Sequence, residues 1–177
     1  MSSPAERLTA LVAFATRKGS TAEVAEVIAA SLEEDGLAVD LRPAEDVEDL
    51  EEYDSVVLGG ALYMGRWHPE ARAFLRRHEI ELRGHRLAVF AMGPRTLEPK
   101  DVDASRAQLD HELAQHPQLQ PVSIAIFGGV IVPEHMHFPL SHMPASDARD
   151  WDTIVTWAEE VGARFRETVQ SQALSLK

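Results

Sequence analysis

Apolar and polar positions fall in short alternating blocks along this chain. Leu8–Ala15 is a nearly continuous apolar run with Leu8, Leu11, Val12 and Phe14, preceded by charge and followed by a Gly/Ser/Thr loop. Such a run predicts a strand buried on both faces of a parallel sheet. From Ser20 to Asp35 the spacing changes: Val24, Val27, Ile28 and Leu32 recur at helical intervals. Ser20 and Glu23 have the spacing of a capping box, and Gly36 supplies a stop. A weaker, more polar strand is predicted over Leu37–Arg42, as suits a sheet edge. The acidic connection Ala44–Asp54 follows, with room for one helical turn.

The third strand is expected at Ser55–Gly60, where Val56-Val57-Leu58 ends in two glycines. Pro69 is placed to open a helix running to about Leu82. Arg86–Met92 reads as the fourth strand, stopped by Gly93-Pro94. Lys100–Gln115 reads as a weakly amphipathic helix with Val102, Leu109 and Leu113 inward, ended by Pro117. The fifth strand is Val122–Phe127, followed by Gly128-Gly129. Val130–Ala145, with three prolines and three histidines, reads as an irregular excursion. The last helix is expected from Ser146 or Asp147, with Trp151, Ile154, Val155, Ala158, Val161 and Phe165 as its apolar stripe, fraying after about Gln170. Five strands alternating with helices predict an α/β fold with a doubly wound parallel sheet and helices on both faces. No repeat, low-complexity tract or linker divides the chain, so one domain over residues 1–177 is expected, with an ordered core from about 7 to 170.

Composition narrows the chemistry. The 177 residues are 45% hydrophobic and carry a net charge of −12. That charge argues against nucleic acid and anionic membrane surfaces as partners. With no cysteine, disulfides, thiolate metal sites and a catalytic thiol are excluded, so redox work needs a borrowed cofactor. There is no signal-like N-terminus or transmembrane-length apolar run, so the expected location is cytoplasmic.

In an open parallel sheet the ligand sits beyond the carboxyl ends of the strands, where strand order reverses. Thr16-Arg17-Lys18-Gly19-Ser20-Thr21 is the most informative loop at such an end. Its hydroxyls can donate to phosphate oxygens, Gly19 allows backbone N–H groups to turn inward, and the helix N-terminus adds partial positive charge. Read locally, these features serve either an anion cradle or a plain strand-to-helix turn. The spacing is neither that of a P-loop nor that of a dinucleotide fingerprint.

The stretch Phe14–Ala25 resembles the phosphate loop of flavodoxins. It is most similar to flavodoxin-domain proteins of the menaquinone-dependent protoporphyrinogen oxidase type, which carry a similar Thr-Arg-x-Gly-x-Thr loop. Gly59–His68 resembles that family's loop against the flavin ring, and Asp150-Trp151-Asp152 is similar to the opening of its last helix. The resemblance extends to about Phe165. It implies an FMN-binding flavodoxin-like sheet of five strands in the order 2-1-3-4-5. Thr16, Arg17, Lys18, Gly19, Ser20 and Thr21 then map onto phosphate binders. Ala61, Leu62, Tyr63 and Gly65 map beside the isoalloxazine, and Met92, Gly93, Pro94, Arg95 and Thr96 onto its other side. This third loop lacks the usual flavin-sandwiching aromatic and offers Arg95 where flavodoxins often place carboxylates. A positive group there favours the reduced anionic flavin. The implied function is FMN redox chemistry, either as an enzyme of the protoporphyrinogen oxidase kind or as an electron carrier. The implied partners are a redox protein, a quinone or a small organic substrate, with a homodimer left open. A module that has lost FMN and kept its anion cradle is the non-redox alternative.

Other residues carry competing readings. Tyr63 can stack on flavin or plug a loop. Trp67 can cover the site or pack over a helix start, whereas Trp151 and Trp157 read as packing residues. His135, His137 and His142 invite a metal, yet only Glu134 lies near to complete a set, so a polar lid or partner surface is the expectation. Neighbouring carboxylates such as Glu33-Glu34 read as solvated faces. No Gly-x-Ser-x-Gly elbow anchors a hydrolase triad.

Overall fold

The computed structural model describes residues 7–135, 138 and 140–175. Among the described residues, four α-helices and eight strands follow one another in chain order. The main strands are β1 (Thr9–Ala15), β2 (Ala38–Pro43), β3 (Ser55–Tyr63), β5 (Arg86–Met92) and β6 (Ser123–Phe127). The short ones are β4 (Arg66–Trp67), β7 (Val130–Ile131) and β8 (Ser146–Asp147). The helices are α1 (Ser20–Glu34), α2 (Pro69–Leu82), α3 (Pro99–Leu113) and α4 (Trp151–Ser175). The main strands pair in parallel in the order β2-β1-β3-β5-β6. This is the expected 2-1-3-4-5 arrangement once the short β4 is set aside.

Two apolar layers sandwich the sheet. Val24, Ile28 and Leu32 of α1 pack with Ile154, Val161 and Phe165 of α4 against one face. Phe74 and Leu75 of α2 and Leu109 of α3 cover the other. β1 faces both layers, with Val12 in the first and Leu11 in the second. This explains its nearly unbroken apolar run. β2 is the partly exposed edge, which explains its polarity.

Three expectations are corrected. Gly59 and Gly60 do not end the third strand, which continues to Tyr63 and folds back on β4. Both glycines are packing positions. A Cβ on Gly59 would lie 2.0 Å from the Phe90 ring, and one on Gly60 would lie 2.9 Å from the Trp67 indole. The turn between β3 and β4 is Met64-Gly65, at φ 51° and 78°. Two positive-φ residues are what a tight hairpin matching the strand twist requires. Second, α4 begins at Trp151 rather than near Ser146, because Ser146–Asp147 is a strand paired with Val130–Ile131. Asp150 caps the helix by accepting from the Thr153 N–H at 3.2 Å. Third, Trp151 is 39% exposed and lies outside the apolar stripe, beneath the Arg149 guanidinium. Trp157 is the core aromatic, edge-on to Phe90 and Phe127 and bonded to the Ser123 hydroxyl.

Candidate functional site

A cleft of about 500 Å³ opens beyond the carboxyl ends of β1, β3 and β5. A smaller hollow of about 150 Å³ lies at the opposite end of the sheet, around Leu82, His85 and Gln118. The first wall of the large cleft is the loop between β1 and α1. Gly19 occupies the N-cap of α1 at φ 90° with no side-chain cap. The expected capping box is therefore not formed: the Glu23 carboxylate instead receives the Arg149 guanidinium. The first N–H groups of an α-helix have no intrahelical acceptor, so leaving them uncapped keeps donors available for an anion. Thr16 shapes the loop by accepting the Gly19 N–H at 2.9 Å through Oγ1. Its own hydroxyl proton stays free to donate. Thr21 is completely buried, and its hydroxyl has no hydrogen-bond partner among the described residues.

The second wall is the β3–β4 hairpin, with Ala61, Leu62, Tyr63 and Met64 lining the cleft. The Arg17 guanidinium lies 5.5 Å from the Tyr63 ring centroid, joining the two walls. Trp67 is wholly buried, its indole N–H donating to the Gly60 carbonyl at 2.9 Å. It packs beneath the hairpin rather than covering the site. The third wall comprises Met92, Gly93 and Arg95 after β5, with Gly129, Val130, Ile131 and Met143 beside them. The Gly129 N–H donates to the Pro94 carbonyl at 2.8 Å, which fixes where β7 leaves the sheet.

Eleven of the residues singled out from the sequence line this cleft: Thr16, Arg17, Lys18, Ser20, Thr21, Ala61, Leu62, Tyr63, Met92, Gly93 and Arg95. Gly19 and Gly65 shape turns, Pro94 is buried, and the Thr96 hydroxyl donates to Asp101 at the start of α3. Sequence reasoning missed Met64, His68, Gly129, Val130, Ile131 and Met143 as lining residues. Val130, Ile131 and Met143 lie in the segment read as an excursion, whose place after the fifth strand was the available signal. Of the three histidines there, His137 lies outside the described residues, and His142 is exposed with its ring edge-on to Phe138. No group of three or more metal-ligating side chains occurs among the described residues.

The cleft's electrostatics oppose those of the whole chain. Among the described residues Arg17, Lys18 and Arg95 line it and no Asp or Glu does, although the net charge is −12. His68 adds a ring held below the usual histidine value, first by burial and then by the charge of Arg17.

This combination of parallel strand order and a cleft at the β1/β3 switch point defines a flavodoxin-like protein. The chain belongs to the Flavodoxin domain family, whose sequence pattern matches residues 11–140. Among characterised relatives it is similar to protoporphyrinogen IX dehydrogenase (quinone) of Escherichia coli K12, at 25% identity over 123 residues and 68% of each chain. Among solved structures, flavodoxin 1 of Bacillus cereus matches with a TM-score of 0.59 at 19% identity, covering 90% of this chain and 97% of that one. A flavodoxin from the domain Archaea matches with a TM-score of 0.60 at 12% identity, covering 90% and 99%.

FMN is the cofactor this family implies. The residues present fit it: the orphaned Thr21 hydroxyl, the uncapped start of α1 and the cations Arg17 and Lys18 suit a phosphate, and the mixed apolar walls suit a planar ring. No helix among the described residues is long and apolar enough to cross a membrane.

Proposed function

We propose that this protein is an FMN-dependent oxidoreductase of the protoporphyrinogen-dehydrogenating kind, cytoplasmic, passing electrons to a quinone. The observation that carries this reading is a carboxylate-free cationic cleft at the switch point, partly walled by Val130, Ile131 and Met143. The similarity to the Escherichia coli dehydrogenase supports the choice of substrate and acceptor.

FMN, when bound, would supply two-electron redox chemistry between substrate and acceptor. Thr16, Ser20, Thr21 and the N–H groups opening α1 bind the phosphate, with Arg17 and Lys18 balancing its charge. Gly19 and Gly65 hold the turns that set the first two walls. Ala61, Leu62 and Tyr63 on one wall and Met92, Gly93 and Arg95 on the other would hold the ring. Pro94 anchors β7, while Thr96 fixes the start of α3. Val130, Ile131 and Met143 exclude water from the apolar end of the cleft.

Anaerobic mixing of the FMN-loaded protein with protoporphyrinogen tests the assignment. Bleaching of the flavin absorbance, restored by a quinone, is the expected result. A flavin that protoporphyrinogen leaves oxidised, but that a reduced redox protein bleaches, identifies an electron carrier instead. A protein that cannot be loaded with FMN excludes both.

A further inference from the structure

His68 stands at the N-terminus of α2, and its Nδ1 accepts the Glu70 N–H at 3.2 Å. Accepting at Nδ1 requires a lone pair there, so the neutral ring carries its proton on Nε2. That Nε2–H is buried and has no acceptor among the described residues. The ring nevertheless belongs to the wall of the large cleft. Its position is specific: a Cβ on Gly60 would lie 3.4 Å from the His68 Cβ, and Gly60 is paired with Ala15 at the end of β1. His68 therefore sits by the end of β3, where Gly60 pairs with Ala91 of β5 as well as with Ala15, and the charge of Arg17 acting on its ring puts it on the phosphate-loop side of the cleft. Burial, and after it the charge of Arg17, disfavours the imidazolium.

We propose that His68 is a further cofactor-binding residue, whose Nε2–H donates a hydrogen bond to the phosphate end of FMN while Nδ1 caps α2. The inference rests on the FMN reading above and adds a contact from the opposite face of the sheet to that of α1. A buried donor without an acceptor is costly, and a phosphate oxygen removes the cost. The cap matters because it fixes the tautomer: the helix uses one nitrogen and leaves the other as a donor.

The test compares FMN with riboflavin, which lacks the phosphate, in binding to the full chain followed by flavin fluorescence. Asn accepts well at a helix N-cap but has no donor where Nε2–H lies, so His68→Asn keeps the cap and removes the contact. The expected result is FMN binding weakened about tenfold, as for a lost bond to a charged group, with riboflavin binding unchanged. FMN bound equally by His68→Asn and wild type overturns the proposal, as does an equal loss for both flavins. A second measurement on the wild type needs no variant to fold. The imidazole signals in nitrogen-15 spectra should show Nε2 protonated in the free protein and shifted by FMN but not by riboflavin. Shifts alike with both flavins, or absent with FMN, overturn the contact. Failure of the wild type to bind FMN overturns the cofactor reading and this inference together.

Discussion

Thr21 is wholly buried, yet its hydroxyl has no hydrogen-bond partner among the described residues. A packing role alone would be served better by valine, which has the same shape without a polar group to desolvate. Thr21→Val should therefore leave the cofactor-free protein as stable as before or slightly more so. The same change should weaken FMN binding by about 1–2 kcal/mol, the cost of a hydrogen bond to an anion. Paired thermal melts and FMN titrations check both halves. A variant that loses stability without FMN and keeps its affinity would assign the hydroxyl a structural role. Gly59 shows the opposite case, a residue whose reason is entirely steric. The Phe90 ring fills the space of its missing Cβ and meets Phe127 at 5.6 Å.

At the scale of elements, the β7–β8 hairpin is held by one side chain. The Arg149 guanidinium donates to Asp147 through Nε at 2.9 Å and Nη2 at 2.6 Å, reaches Glu23 of α1 and lies over Trp151. One strand of this hairpin lines the cleft, and Glu23 lies in the first turn after the phosphate loop. Arg149→Ala should speed amide exchange in residues 130–131 and 146–147 and weaken binding of both FMN and riboflavin, because it loosens a wall. Hydrogen exchange and flavin titration check this. The Arg149 hydrogen bonds hold Asp147 below the usual carboxylate value. A lowered folded value makes its contribution complete above the unfolded pKa and lost as pH falls through the folded one. Protection factors in the hairpin, corrected for the pH dependence of intrinsic amide exchange, should thus fall below about pH 4 and stay level between about pH 5 and 8; in Arg149→Ala that acid step should shrink. This clamp was not legible in the sequence, since Glu23 and Arg149 are 126 positions apart. Apolar runs and spacing did reveal β1, α1 and β5, whose patterns are set by burial on known faces, and Pro69 marked the start of α2. Such patterns failed where a residue's usual meaning was overruled by packing. Gly59-Gly60 looked like punctuation and is sheet interior, and Ser146–Asp147 looked like a helix start and is a strand. The phosphate loop was legible because its chemistry is local. His68 was not, because its significance depends on which of its nitrogens the helix uses.

For the whole molecule, the decisive contrast is between a net charge of −12 and a cleft lined by Arg17, Lys18 and Arg95 without a carboxylate. Distant acids act through solvent and are screened beyond about 8–10 Å at physiological salt, so the nearby cations govern what the cleft binds. Arg17 and Lys18 lie on the phosphate loop. Arg95 lies across the cleft after β5, with Leu62, Met92 and Val130 among the neighbouring lining residues, and has no ion-pair partner among the described residues. A cation there stabilises negative charge gained by the ring on reduction more than it stabilises the neutral oxidised ring. The two-electron potential should therefore lie near or above that of free FMN, and Arg95→Ala should lower it. Arg95 is exposed, so water screens the effect to about 1 kcal/mol, which is ~20 mV for a two-electron couple. Added salt should reduce the difference between wild type and variant, because an exposed charge is the part that ions can screen. Potentiometric titration at low and high salt measures both quantities. A wild-type potential far below that of free FMN, unmoved by Arg95→Ala, would remove Arg95 from the ring and leave the cleft's cations to the phosphate alone.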